Sequence, residues 1–174
     1  MDKNIQAARA PKIEALSIQE IVRAEIYRGV PGGFDGPHEV CVEDLIPTVG
    51  RNYIARRIVG GDSQTAPGSA MAYMAVGTVG TAPTLTDSAI TGEVKRKALS
   101  TSTAGVTAGN VYTAVATFGG AADTVTSLQI QEAAIYNHAS SGNGTLMQRV
   151  TFSQVTLADS DLLKITLETN VGSS

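Results

Sequence analysis

Hydrophobic and polar positions alternate cleanly near the end of the chain. In Asp161–Asn170 (DLLKITLETN), Leu163, Ile165 and Leu167 fall on one face and Lys164, Thr166 and Glu168 on the other. Period-two alternation of this kind predicts a half-buried strand. NVYTAVATF (110–118) repeats it, with Tyr112, Ala114, Ala116 and Phe118 opposite Val111, Thr113, Val115 and Thr117. Its β-branched and aromatic content favours a pleated surface. TLMQRVTF (145–152) reads as a further strand. AMAYMAVG (70–77) is apolar on both faces, as a strand covered on both sides must be. In SLQIQEAAIYN (127–137), Leu128 and Ile130 lie on one side and Ile135 on the other. That change of phase predicts a bulge at Ala133-Ala134. VKRKALSTST (94–103) reads as one polar strand.

Nearer the start, RAEIYRGV and HEVCVEDL alternate around the turn-rich PGGFDGP (31–37). Two such runs around a Gly/Pro loop predict a β-hairpin over 23–46. The period then changes. Val49, Tyr53, Arg56/Arg57 and Val59 recur at helical spacing, as do Ile54 and Ile58. Pro47 suits a helix start, and Gly60-Gly61 supplies a stop. One amphipathic helix is expected at about 48–59, although Gly50 disfavours it by about 1 kcal/mol relative to Ala. Many short strands joined by Gly/Ser/Thr turns, with one short helix, predict a mainly β domain. The expected architecture is a β-sandwich or jelly-roll-like domain over 23–174, with an extended N-terminal arm over 1–22. The arm's apolar residues are sparse (Ile5, Ile13, Leu16, Ile18, Ile21) and Pro11 interrupts it. SIQE (17–20) has capping-box spacing and would allow one helical turn. The same segment could equally be extended and ordered on a partner.

Composition refines this picture. A chain of 174 residues can bury a core without staples, and its single cysteine, Cys41, forms neither an internal bridge nor a zinc cage. The opening residues lack the apolar core of a secretory signal, and no run is long enough for a membrane span. A net charge of −3 argues against a general nucleic-acid coat. The charge is also uneven: sixteen charged residues fall in 1–60 and thirteen in 61–174. Ala98–Ser127 contains only Asp123. Such a surface fits either coverage by other subunits or a Thr/Ser-rich protein made soluble by hydroxyls.

Candidate chemistry is sparse. VGTVGTAP (76–83) has glycines but lacks P-loop or dinucleotide spacing, and no lysine follows it. It reads as a glycine-permitted corner. His38 and Cys41 would lie on opposite faces of a strand, which does not gather metal ligands, and His138 sits in a separate turn. Cys41 between two valines reads as a small core residue. Glu43-Asp44 precede the helix, where acid favours its N-terminus, and Asp159/Asp161 read as a polar turn. No G-x-S-x-G elbow occurs, and the absence of Trp disfavours a sugar-stacking platform. Alternation sends Arg96 away from Lys95 and Lys97, so they do not form one patch; a solvated surface or salt bridges between subunits, rather than phosphate contacts, is expected for these and for Arg56-Arg57. No catalytic, metal or cofactor-binding residue is expected, and no cofactor.

The order of motifs carries a resemblance. YMAVGTVGTAPTLTDSAITGEVKRKAL, then NVYTAVATF, then LQIQEAAIYNHASSGNGTLMQRVTF resemble the serial pattern of structural proteins of tailed bacteriophages, over roughly residues 24–170. The resemblance implies a virion structural role without catalysis, at the capsid surface or in the tail. Within it, Gly77, Gly80 and Gly92 would permit turns, and Tyr73, Val76, Ile130, Ile135, Val150 and Phe152 would fill the core. The leading expectation is a capsid decoration (cement) protein. It would bind the major capsid protein on the outer head surface as a homotrimer, after assembly in the host cytoplasm. Ile5, Ile13, Leu16, Ile18 and Ile21 of the arm would contact the partner. A tail, neck or fibre-associated protein, and a host- or glycan-binding β-sandwich module, are the alternatives. Neither nucleic acid nor membrane is an expected partner.

Overall fold

The alternating segments become strands of two packed sheets. The computed structural model describes residues 16–40, 42–58, 70–104, 111–120, 123, 125 and 127–173. In chain order they form β1 (Leu16–Val30), β2 (Gly33–Val40), β3 (Val42–Leu45), α1 (Thr48–Ile58), β4 (Tyr73–Gly77) and β5 (Glu93–Ala98). They continue as β6 (Thr101–Ala104), β7 (Val111–Gly119), β8 (Gln129–Tyr136), β9 (Leu146–Thr156) and β10 (Leu162–Ser173). One sheet has the order β2-β1-β10-β7-β6 and the other β3-β9-β8-β4-β5. All pairings between strands are antiparallel. The domain is a β-sandwich with one short helix.

The inner faces meet in a single core. The first sheet contributes Ala114, Ala116, Phe118, Leu163, Ile165 and Leu167, and the second Met74, Val76, Ile130, Ala133, Ile135 and Val150. All are essentially inaccessible to water. Each large side chain buried here contributes about 1.5–3 kcal/mol. The β10 alternation is observed as expected, and β4 is buried on both faces.

Four sequence expectations are corrected. Leu16–Val22, expected in the arm, form the first half of β1. They continue a ladder of twelve consecutive pairs with β10, from Leu16↔Ser173 to Tyr27↔Leu162. The Leu-Ser-Ile-Gln alternation at 16–19 suits a strand, and β10 supplies the backbone partners that a lone arm would lack. The hairpin is shorter than 23–46. Its turn is Pro31-Gly32, its return strand β2 ends at Val40, and β3 belongs to the other sheet. VKRKALSTST is two strands, one in each sheet. The corner is at Leu99-Ser100, where the Leu99 N–H donates to Ala72 O (2.9 Å) and the Ser100 N–H to Val115 O (2.8 Å). The phase change in β8 occurs between Ile130 and Glu132, with a second shift between Ile135 and Tyr136. Ala133 and Ala134 keep the alternation because both faces of β8 are covered there.

Gly50 resolves its own apparent conflict with helix propensity. A Cβ at this position would collide with the backbone carbonyl of Met147 on β9, so α1 packs on the sheet at a separation only glycine permits. Propensity alone favours Gly50→Ala by about 1 kcal/mol. The packing predicts the opposite sign, a loss of about 1–3 kcal/mol from overpacking, measurable by urea denaturation.

Candidate functional site

The two outer faces of the sandwich are treated differently by the chain. Over the second sheet lie α1 and the loop 78–92. Ala75, Ala134, Tyr136 and Leu146 bury against Ile90 of the loop, with Val49 and Tyr73 packed alongside. The Tyr136 hydroxyl accepts a hydrogen bond from the Ile90 N–H at 2.9 Å.

An ion cluster fastens this roof. Glu132 is fully buried. Its carboxylate accepts from Arg149 Nε at 3.0 Å and faces Arg149 Nη2 at 2.9 Å. Arg149 also donates to Asp87 Oδ2 (2.7 Å) and to Thr81 O (3.0 Å), both in the loop. Glu132 Oε1 accepts from the Gly92 N–H at 3.2 Å. A Cβ on Gly77 would stand 2.5 Å from that same oxygen, so Gly77 makes room for the carboxylate. The glycine-rich stretch is thus a corner closed on the sheet by buried charge.

The basic run 95–97 divides as strand alternation requires. Arg96 lies on the roofed side, gripping Glu93 through Nε (2.8 Å) and Nη2 (2.7 Å), with its guanidinium 3.8 Å from the Tyr136 ring centroid. Its Nη1 donates to the carbonyls of His138, Ser140 and Asn143 at 2.9, 3.0 and 2.9 Å, which fixes the 138–144 turn. Lys95 and Lys97 turn inward to Asp123.

The outer face of the first sheet has no such roof among the described residues. Register places Ile21, Glu168 and Thr113 in one row, then Arg23, Thr166 and Val115, then Glu25, Lys164 and Thr117. Thr103 and Thr101 on β6 extend the first two rows. The β1–β10 half carries charge, including a Lys164–Glu25 pair at 3.0 Å, whereas the β7 positions are Thr and Val. Ile21 is 48% exposed on this face.

Beyond it projects the β1–β2 hairpin tip, where residues 30–39 are all exposed. Its base is pinned by Asp161, a buried carboxylate that sequence inspection assigns to an ordinary turn. Asp161 accepts from the Gly29 N–H (2.9 Å), the Ala158 N–H (3.0 Å) and Arg28 Nη1 (2.5 Å). Arg28 Nη1 also donates to Thr156 O at 2.9 Å. Burial pushes the Asp161 carboxyl up, but the two amides and the guanidinium outweigh it and hold its pKa below the usual value. The balance at Asp87 is similar: burial raises it, while Thr84 and Arg149 more than compensate. At Asp123, Lys97 and the Gly119 amide likewise overcome burial. Depressed folded-state pKa values mean that the unfolded chain takes up protons first as pH falls. Their stabilisation is therefore complete above the unfolded carboxylate range, about pH 4, and is lost as pH drops through the lower folded values. Urea midpoints should be level from pH 7 to 5 and fall steeply below about pH 4.

Other candidate residues are dispersed. His38 lies 3.4 Å from Asp35 on the exposed hairpin, and His138 Nδ1 accepts the Ser140 N–H at 3.1 Å in the distant turn. Leu16, Ile18 and Ile21 lie in β1, while Ile5, Ile13 and Cys41 fall outside the described residues. Glu43 and Asp44 lie within β3 rather than at the helix. Among the described residues, no group of three or more His, Cys, Asp or Glu side chains gathers to hold a metal, and no helix is long and apolar enough to cross a membrane. No family model, curated protein or solved structure matches the chain.

Proposed function

We propose that the chain is a structural protein of a tailed-bacteriophage particle, a capsid decoration protein that binds the outer head surface as a homotrimer. The observation that carries this reading is the inequality of the two outer faces. One is sealed by a helix, a loop and buried ion pairs. The other, unroofed among the described residues, is charged across β1 and β10 and Thr/Val on β7, with a pinned hairpin beside it. A face of that kind suits a broad, shape-matched contact better than a small-molecule pocket. The serial motifs resembling phage structural proteins supply the particle context.

Its action is linkage. A protein that binds the assembled shell and not its separated subunits stabilises the shell by mass action, with no chemical step. The major capsid protein is the proposed partner. The segment 1–15, with Ile5 and Ile13, would add apolar contact beyond the sandwich at about 25 cal/mol per Å² buried.

The test is localisation of the tagged chain in particles by cryo-electron microscopy, with heat resistance of heads measured with and without it. Density on heads and increased head stability are expected. Density on tails would replace the decoration role with a tail role, and absence from particles would overturn both. Deletion should be made at residue 15. Removing 1–15 is expected to spare the sandwich and weaken particle binding, whereas removal of 1–22 would also strip seven β1–β10 pairs.

A further inference from the structure

We propose that the β1–β2 hairpin tip of one copy seats in a recess beside α1 of the next, forming a head-to-tail contact between identical chains. This deepens the self-association in the reading above and does not depend on the particle. The tip bears Phe34, which is 54% exposed while Phe118 and Phe152 are buried in the core. Val30, one residue beyond Phe34's ladder partner Gly29, is 45% exposed on the opposite face of the hairpin. Large aromatic side chains left in water beside a rigid support are the residues that anchor interfaces. The support here is the Asp161 pin at Arg28 and Gly29. Pro37 lacks an N–H and interrupts the free edge of β2, which disfavours lateral strand addition and leaves side-chain contact as the mode of binding.

The recess is open, about 220 Å³, and is lined by Val49, Asn52, Tyr53, Arg56 and Thr145. It is smaller than the roughly 300–1,000 Å³ of drug-sized ligand sites and on the scale of one large side chain. The charges are complementary. The tip carries Asp35 and Glu39, both exposed. Helix α1 carries Arg51, Arg56 and Arg57 and no acidic residue. Asp35 adjoins Phe34, and Arg56 lines the recess, so seating Phe34 brings opposite charges together. Because Phe34 remains exposed within its own chain, the contact is between copies. Two different patches make a heterologous interface, which closes into a ring such as a trimer when the rotation between copies allows it.

The experiment is sedimentation velocity over a range of concentrations on the full chain, Phe34→Ser, Asp35→Arg, Arg56→Asp and the Asp35→Arg/Arg56→Asp double variant. All these sites are exposed, so the fold should be kept, with circular dichroism as the check. The wild type is expected to self-associate. Phe34→Ser should raise the dissociation constant about 30-fold or more. Each single charge reversal should raise it about tenfold, and the double variant should recover most of that loss. A wild type that is monomeric throughout overturns the proposal, as does unchanged association of Phe34→Ser. Charge reversals without mutual rescue overturn the pairing of tip with recess. A monomer that still decorates heads would refute this contact and leave the particle role standing.

Discussion

Replacing Arg149 with methionine is expected to destabilise the domain by about 3–5 kcal/mol, the cost of removing one partner from a buried ion pair. Methionine restores much of the arginine stem's volume, so the loss comes from charge. Glu132, fully buried, would lose both nitrogen contacts of Arg149 and keep only the Gly92 N–H. Asp87 and the Thr81 carbonyl would lose the donors that hold the loop to the sheet. Urea denaturation of the single variants and of Arg149→Met/Glu132→Gln checks this. The double variant should be less damaged than the sum of the singles, because neutralising Glu132 removes the stranded charge. A single-variant loss below about 1 kcal/mol would show that the cluster is solvated and that the roof is held by Ile90 and Tyr136 instead.

The same cluster marks how far the sequence could be read. The strands read at 110–118 and 161–170 follow from alternation, because their inner positions must be apolar; 145–152 was legible as a strand from its composition, but its burial on both faces from Leu146 to Phe152 leaves no alternation to read. The helix at 48–58 follows from its period and from Gly60-Gly61. What alternation cannot encode is which sheet a strand joins. Leu99 and Ser100 are neighbours in sequence yet bond to opposite sheets, and nothing local in KALSTS marks that corner. The bulge was legible as a phase change but not as a position, since Ala133 and Ala134 fit a covered face on either side. The ion cluster did leave a signal. Glu132 in IQEAAI and Arg149 in LMQRVTF are opposite charges within runs too apolar to be solvated, on strands that prove adjacent. The significance of Asp161 was invisible because its partners Arg28 and Gly29 lie more than 130 residues away. Ladder position, not spacing, brings them together.

Asp161→Ala is accordingly expected to act on both stability and assembly. It removes a carboxylate accepting three hydrogen bonds and leaves the Gly29 and Ala158 amides without that acceptor. Bonds to a charged group contribute about 1.5–3 kcal/mol each when lost singly. Arg28 is 42% exposed in its side chain and can recover water, which lowers its share. A net loss of about 2–4 kcal/mol is expected, with the domain still folded at neutral pH. Asp161→Asn should lose less, because its carbonyl can keep one amide bond, and its stability should respond less to acid as pH falls below about 4. The effect on self-association separates a pin from a mere contributor to stability. If Asp161 presents the hairpin, the variant should associate more weakly than wild type even where both are fully folded, since a tip with a loosened base must be ordered on binding. Equal association at equal folded concentration would confine Asp161 to stability and detach the hairpin's rigidity from its proposed contact.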